Sequence, residues 1–114
     1  MTFCILGHCP ETDQTGIAYT TVTLAGGGTS PFYSYGGDIV VVQAYGNLNT
    51  AVAGARALDQ GRSLSDTLED MAQADTSFEF RQVGIMCRSG QSTVRTGDKA
   101  RPWAGHEHGA DYVS

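Results

Sequence analysis

The sequence predicts an α+β domain in which antiparallel strands form layered sheets. The prediction rests on the order of the elements and on composition. Three strand patterns come first, two helical patterns follow, and further strand patterns close the chain. Runs of strands separated by a run of helices favour antiparallel pairing over alternating βαβ units. With 114 residues, 40% hydrophobic and 17% charged, the chain is typical of one folded domain.

The first two strands are predicted from alternation and turn residues. In residues 2–8 alternate side chains share a face, so Cys4 and Leu6 lie together on one side. Residues 10–16 are rich in turn formers, and residues 17–24 return to β-branched and aromatic side chains. This pattern predicts a hairpin.

A loop, a strand and a helix follow the hairpin. Residues 25–38 have glycines near both ends, which predicts a long surface loop. The short apolar run 39–44 predicts a strand buried on both faces. Asn49 is the predicted N-cap of a helix through Leu58, and Gly61 suits the left-handed position after it.

The second helix is predicted to begin after Ser65 and to end near Asp75, because apolar residues recur at three and four positions. Residues 80–87 and 92–96 flank a small-residue turn and predict a second hairpin. Residues 110–114 resemble the start of one more strand.

The charge balance excludes several function classes. Twelve acidic residues against seven basic ones give a net charge of −5, and no basic run is present, so we expect no nucleic-acid partner. The longest apolar stretch is too short to span a membrane, and the N-terminus lacks a signal-peptide pattern. Three cysteines without a C-x-x-C pair suit reduced thiols. We therefore expect a cytoplasmic protein without membrane association.

Cofactor and metal motifs are weak. The glycine-rich segment 26–30 lacks the lysine of a phosphate-binding loop, so no nucleotide cofactor is expected. His106 and His108 are two residues apart, a spacing at which a strand aims both at one metal, but no third ligand stands at a convincing distance. We expect exposed loop residues here and no metal.

Two nucleophile-type side chains, Thr2 and Cys4, share one face of the first strand, and His8 continues that face. If Met1 is removed, the Thr2 α-amine, with an ordinary pKa of about 8, is a general base for its own hydroxyl. Alternatively, Thr2 only begins a strand and Cys4 is a small buried residue. A thiol or metal sensor using Cys4, Cys9 and His8 would require a bent strand.

Polar residues beside the third and fourth strands are candidates for substrate contact. Gln43 and Asn47 carry amides that can donate hydrogen bonds to a carbonyl or an oxyanion, or else cap backbone groups. Arg81 suits a carboxylate substrate if it points inward, whereas an ion pair with Asp75 or Glu79 is the alternative.

Several short motifs in order carry a family resemblance. They are Met1-Thr2-Phe3-Cys4-Ile5-Leu6, Pro10-Glu11-Thr12, Gln43-Ala44-Tyr45 with Asn47, Phe80-Arg81-Gln82-Val83-Gly84, Thr96-Gly97 and Trp103-Ala104-Gly105-His106. Together they resemble the bacterial domain-of-unknown-function 1028 family, which is similar to the N-terminal-nucleophile (Ntn) hydrolases. Relatives usually carry serine where this chain has Cys4, and arginine is common near His8 and Cys9.

The resemblance implies an αββα sandwich, two antiparallel sheets face to face with helices outside, and by analogy amide-bond hydrolysis. It implies that residues 1–114 are a single partial domain, the N-terminal half of the family's length. We expect a second polypeptide, a C-terminal half or β chain, to complete the fold, and a higher homo-oligomer of the pair. It would arise by cleavage after Ser114 or from a separate gene, and its first residue could be the nucleophile.

The sequence therefore predicts the N-terminal, α-like chain of an Ntn-type amidohydrolase that acts on a small amide, a cyclic amide or a related C–N bond. Thr2 or Cys4 is the predicted nucleophile within this chain, and Ser114 is the predicted processing position. The predicted substrate-binding residues are His8, Gln43, Asn47, Arg81 and His106. A small-ligand-binding or scaffold protein with the same sandwich and no catalysis is the alternative.

Overall fold

The computed structural model describes residues 1–114 as seven strands and two α-helices. The elements in chain order are β1 (Thr2–Cys9), β2 (Gln14–Thr21), β3 (Pro31–Tyr33), β4 (Ile39–Ala44), α1 (Leu48–Asp59), α2 (Leu64–Ala74), β5 (Arg81–Met86), β6 (Ser92–Thr96) and β7 (Tyr112–Val113). Short 3₁₀ turns lie at Gly26–Gly28 and Phe78–Phe80. This order confirms the predicted α+β class.

The strands form two antiparallel sheets. One has the order β2-β1-β7 and the other the order β3-β4-β5-β6. Helices α1 and α2 pack on one face of the four-stranded sheet, where Val40, Val42 and Ile85 meet Ala51 and Met71. The opposite face packs against the three-stranded sheet. The layers are therefore helices, four strands and three strands.

The faces of β1 and β4 follow the predicted alternation. Cys4 and Leu6 are buried between the sheets, while Phe3 on the opposite face of β1 is 59% exposed. In β4, Val40 and Val42 face the helices, and Val41 faces the other sheet. This strand is buried on both faces because it lies inside the middle layer.

Both helices begin two residues earlier than predicted. Asn47, not Asn49, is the first N-cap, since its side-chain oxygen accepts from Asn49 N at 3.0 Å. Ser63, not Ser65, caps the second helix by accepting from Asp66 N at 3.1 Å. Several residues that can cap stand close together in both segments, and the extended backbone at the true caps selects among them.

The loop predicted over residues 25–38 contains a strand, so that prediction is wrong in part. Residues of β3 pair with β4, with Phe32 opposite Val40. Pro31 weakens the strand pattern in the sequence, but β3 is an edge strand, where proline is tolerated. Phe32 packs against the cluster beneath the helices.

Strand β7 pairs on both sides within this chain. It lies beside β1, with Leu6 opposite Val113, and residues 107–109 cover its other side. Glu107 N donates to Ser114 O at 2.9 Å, and Ser114 N donates to Glu107 O at 3.0 Å. Both edges of β7 are therefore paired within this chain, because the preceding segment folds back on it.

The outer face of the three-stranded sheet has no layer over it. Phe3, Ile5 and Tyr112 are 59%, 37% and 38% exposed on this side. No helix of the structure is both long enough and apolar enough to cross a membrane.

Candidate functional site

The space between the two sheets is apolar at one end and polar at the other. Leu6, Val113 and Met86 fill the apolar end and are almost fully buried. Toward the other end, the β4–β5 register places Gln43 directly opposite Gln82. Both glutamines lie on the sheet face that packs toward β1, so the sandwich holds two amide side chains at one opening.

A cavity of about 60 Å³ occupies this polar end. Its polar lining consists of Thr2, Cys4, Gln43, Gln82 and Ser114. Gly84 helps to keep the space open, since a Cβ there would lie 3.1 Å from Val41 Cγ1 and 3.3 Å from Leu6 Cδ1. The register, and not the sequence order, brings these residues together.

Two larger clefts of about 430 and 330 Å³ adjoin the cavity. Thr2 lines the cavity and both clefts, and no other residue does so. Its hydroxyl lies 3.0 Å from the hydroxyl of Thr21 on the neighbouring strand. Thr2 thus stands where three concave spaces meet, and Met1 beside it is 89% exposed.

Cys4 lies deeper in the same site. Its Sγ accepts a hydrogen bond from Gln43 Nε2, and the residue is 7% exposed. Burial raises the pKa of the Cys4 thiol above its ordinary value, and the bond from Gln43 opposes this only in part. The thiol is therefore protonated at neutral pH, which disfavours it as a nucleophile.

A chain of polar contacts links Gln82 to His106. Gln82 Nε2 donates to Thr96 Oγ1 at 3.1 Å and also to the carbonyl of Gly105. Thr96 Oγ1 lies 2.8 Å from His106 Nδ1. His106 is exposed and holds its loop against β6, one residue from the cavity wall at Gly105.

Asn47 and Arg81 belong to a separate cluster around a buried carboxylate. Arg81 makes two bonds to Asp75, at 2.8 and 3.2 Å, and a third at 2.6 Å to the carbonyl of Tyr45. Asn47 Nδ2 donates to Asp75 at 3.3 Å, and Thr50 donates to the same oxygen. Neither Asn47 nor Arg81 lines the cavity or the two adjoining clefts.

Hydrogen bonds from Arg81 and Thr50 hold the pKa of Asp75 well below its ordinary value, although burial acts in the opposite direction. Because both partners are largely buried, with side chains 5% and 13% exposed, this pair anchors the β4–α1 turn. Ala44, the last residue of β4 before that turn, has a φ of 66°, a conformation that a residue with a Cβ rarely adopts.

His8 and Ser114 complete the predicted set. His8 is separated from Cys4 by the buried Leu6, and its ring packs on Gly90, where a Cβ would lie 2.9 Å from Cδ2. The Nδ1 atom of His8 is buried and has no hydrogen-bond partner. Ser114 reaches the inter-sheet cavity. No three His, Cys, Asp or Glu side chains are grouped to hold a metal.

The structure adds site residues that the sequence did not single out. Gln82 joins the site because it pairs with Gln43, and Arg101, Trp103 and Gly105 enter from the irregular segment after β6. Gln82 had a detectable signal, since it and Arg81 are the polar residues of an otherwise apolar strand. Trp103 belongs to a motif of the family resemblance and Arg101 to none, but only the tertiary path of their loop brings the two residues to Thr2.

Comparisons with known proteins place the chain in a family. One protein-family model, described as "Family of unknown function (DUF1028)", matches residues 2–114. The crystal structure of protein SPO2555 from Silicibacter pomeroyi, which carries the same family model, superposes with a TM-score of 0.87 at 25% identity. The match covers 98% of this chain and 52% of the SPO2555 chain, so this chain spans about half the length of that protein. No curated protein matches it. The chain belongs to the DUF1028 family.

Proposed function

We propose that this chain is the N-terminal, α-like part of an Ntn-type amidohydrolase that cleaves a small amide, a cyclic amide or a related C–N bond. The observation that carries the proposal is the position of Thr2. Thr2 lines the inter-sheet cavity and both open clefts, and Gln43 and Gln82 line the cavity with it.

The chemistry requires a free α-amine on Thr2. Met1 is 89% exposed, so it is accessible to removal. The amine then accepts the hydroxyl proton while Oγ1 attacks the amide carbonyl, and an ester forms as the protonated amine gives its proton to the leaving nitrogen. Water hydrolyses the ester with the same amine as base, which releases the acid and restores the hydroxyl.

The Gln43 side chain supplies a donor for the developing oxyanion. It uses one N–H on Cys4 Sγ, which leaves a second N–H for a substrate oxygen. Gln82 Nε2 already donates hydrogen bonds to Thr96 Oγ1 and to the Gly105 carbonyl, so its role is to hold the cavity wall in place. Within this chain the protonated, buried thiol makes Cys4 a weaker candidate than Thr2.

A second polypeptide segment is part of the proposal. The SPO2555 chain is about twice the length that this chain matches, and the outer face of the three-stranded sheet carries exposed Ile5 and Tyr112. A further layer over this face would complete an αββα sandwich. Intact mass under denaturing conditions tests this, since a folded, purified sample that contains a single 12.1 kDa species contradicts it.

The catalytic test compares matched variants on a panel of small linear and cyclic amides, using the purified protein with any polypeptide that co-purifies. We expect Thr2→Ala to lower kcat by about 10⁴-fold or more, and Thr2→Ser and Cys4→Ala to retain turnover. Thr20→Ala is the control, because Thr20 is exposed and pairs with Phe3 on the neighbouring strand.

The outcomes separate the alternatives. Turnover that survives Thr2→Ala contradicts Thr2 as the nucleophile, and loss only in Cys4→Ala assigns the role to the thiol. If turnover survives both and a partner chain begins with Thr, Ser or Cys, the nucleophile lies in that partner. Ligand binding without turnover in the unmodified protein favours the non-catalytic binding protein.

A further inference from the structure

The larger cleft beside Thr2 is lined in large part by apolar side chains. It holds about 430 Å³ and is lined by apolar side chains that include Phe3, Val22 and Trp103. The two rings and Val22 are 59%, 72% and 84% exposed. Isolated apolar residues on a surface need no explanation, but these three share one concave space that Thr2 also lines.

Arg101 is the only charged side chain in the lining of this cleft, which also includes the N-terminal residue Met1. Arg101 lines it and no acidic residue does. The chain carries a net charge of −5, and four of its arginines (Arg62, Arg81, Arg88 and Arg95) form ion pairs with carboxylates. Arg101 forms none. In an acidic protein, an arginine left without a carboxylate at a cleft is available to an anion from solution.

The Arg101 side chain is oriented by an aromatic pair. Its guanidinium carbon lies 5.3 Å from the ring centre of Tyr45, and Tyr45 meets Phe80 edge to face at 6.0 Å. Lys99 lies 5.6 Å from the Phe80 ring in the same way. A guanidinium held over a ring keeps its N–H edge free for a planar anion, which it can bind with two parallel hydrogen bonds.

We propose that this cleft binds the carboxylate-bearing, apolar part of the substrate, with Arg101 contacting the carboxylate and Trp103 and Phe3 contacting the apolar body. The inference rests on the proposed function, since it places the scissile carbonyl at Thr2. The substrate class is then an amide that carries both a carboxylate and an apolar or aromatic group. Arg101 is a specificity-determining residue on this assignment, and Arg81 remains with Asp75.

Trp103 gives a direct readout, because it is the single tryptophan of the chain and it lines the cleft. The probes are N-acetyl-L-phenylalanine and its neutral carboxamide, titrated while Trp103 fluorescence is followed. We expect the carboxylate probe to bind about tenfold more tightly than the carboxamide, because an ionised partner strengthens the hydrogen bonds to Arg101.

Two variants test whether Arg101, and not another positive charge of the chain, causes the preference for the carboxylate probe. Arg101→Gln should remove the preference for the carboxylate, whereas Arg56→Gln, an exposed arginine of helix α1 that is also outside every ion pair, should keep it. Equal binding of the two probes, or a preference that persists in Arg101→Gln, overturns the assignment. A persisting preference would point to the α-amine of Thr2 instead.

Hydrolysis is scored separately, with carboxylate-bearing and neutral amides of matched structure. On this assignment Arg101→Gln raises KM for the acidic amide and leaves KM for the neutral amide unchanged. An Arg101-dependent binding preference without hydrolysis of any amide contradicts the proposed function, and hydrolysis without that preference contradicts only the proposed substrate class.

Discussion

The free energy of unfolding can show whether Arg81 stabilises the fold through its ion pair with Asp75 or serves to bind substrate. Asp75 is 5% exposed in its side chain and accepts two bonds from Arg81, at 2.8 and 3.2 Å. Removal of one member of such a buried pair leaves an uncompensated charge. We therefore expect Arg81→Met to lower the free energy of unfolding by about 3–5 kcal/mol.

The double variant provides the internal test. In Arg81→Met/Asp75→Asn no uncompensated charge remains, so the loss should be smaller than the sum of the single losses by about 1–3 kcal/mol. Arg88→Met is the matched control. Its pair with Asp13 is 3.8 Å long and both side chains are about two-thirds exposed, so we expect a change within about 0.5 kcal/mol.

Urea unfolding followed by circular dichroism measures the unmodified protein, the two single variants, the double variant and Arg88→Met, and the pH dependence of stability is an independent readout. Because folding lowers the pKa of Asp75 from an ordinary value of 3.8, its stabilising contribution is present above that pH and is lost as the pH falls below it. In Asp75→Asn the free energy of unfolding should therefore fall less steeply as the pH is lowered through this range. If Arg81→Met costs less than about 1 kcal/mol and yet abolishes ligand binding, Arg81 is a substrate residue and the structural assignment is refuted.

Three further predictions concern the inter-sheet space and the thiols. Gly84→Ala should lower the free energy of unfolding by about 1–3 kcal/mol, because the new Cβ lies 3.1 Å from Val41 Cγ1. Gly16→Ala is the control and should change it by less than about 0.5 kcal/mol, because no atom lies within 4 Å of the new Cβ. Equal shifts of the melting temperature in the two variants would contradict the packing described. In the native protein, iodoacetamide should modify Cys9 faster than Cys4. Cys9 is exposed and its hydrogen bonds to Thr12 lower its pKa, whereas Cys4 is buried and burial raises its pKa. Equal modification rates, measured by mass spectrometry, would contradict this. Leu6→Ala should cost about 2–5 kcal/mol in urea unfolding, since Leu6 is fully buried between the sheets, and a loss below about 1 kcal/mol would show that the sheets do not pack there.

The sequence predicted those parts of the fold in which local pattern and packing agree. Alternation in β1 correctly placed Cys4 and Leu6 on one face, which is the buried face, and the short apolar run correctly predicted β4 as a strand buried on both faces. Cap positions were wrong where several candidates stand together, as at Asn47 and Asn49, because backbone conformation decides among them. The sequence did not predict β3, because pairing with β4 stabilises this short strand and no local pattern marks it.

The candidate site was predictable only in part. Thr2, Cys4 and Gln43 were found because each carries reactive or polar chemistry on an otherwise apolar strand, and the structure brings them together. Arg81 forms the ion pair with Asp75 that the sequence offered as the alternative to substrate contact, whereas the bond from Asn47 to the same carboxylate follows from no spacing rule. Arg101 and Trp103 depend on the path of an irregular loop, which sequence periodicity does not describe.

The central claim is that the Thr2 hydroxyl is a nucleophile once its amine is free. Treatment of the purified protein with a β-lactone tests it directly, because ring opening esterifies an activated hydroxyl without a leaving group, and peptide mass spectrometry locates the adduct. The account predicts an ester on Thr2, found on molecules that begin at Thr2 and absent from molecules that retain Met1. An adduct on Cys4, or a protein that begins at Thr2 and stays unmodified there while it hydrolyses amides, would contradict the claim.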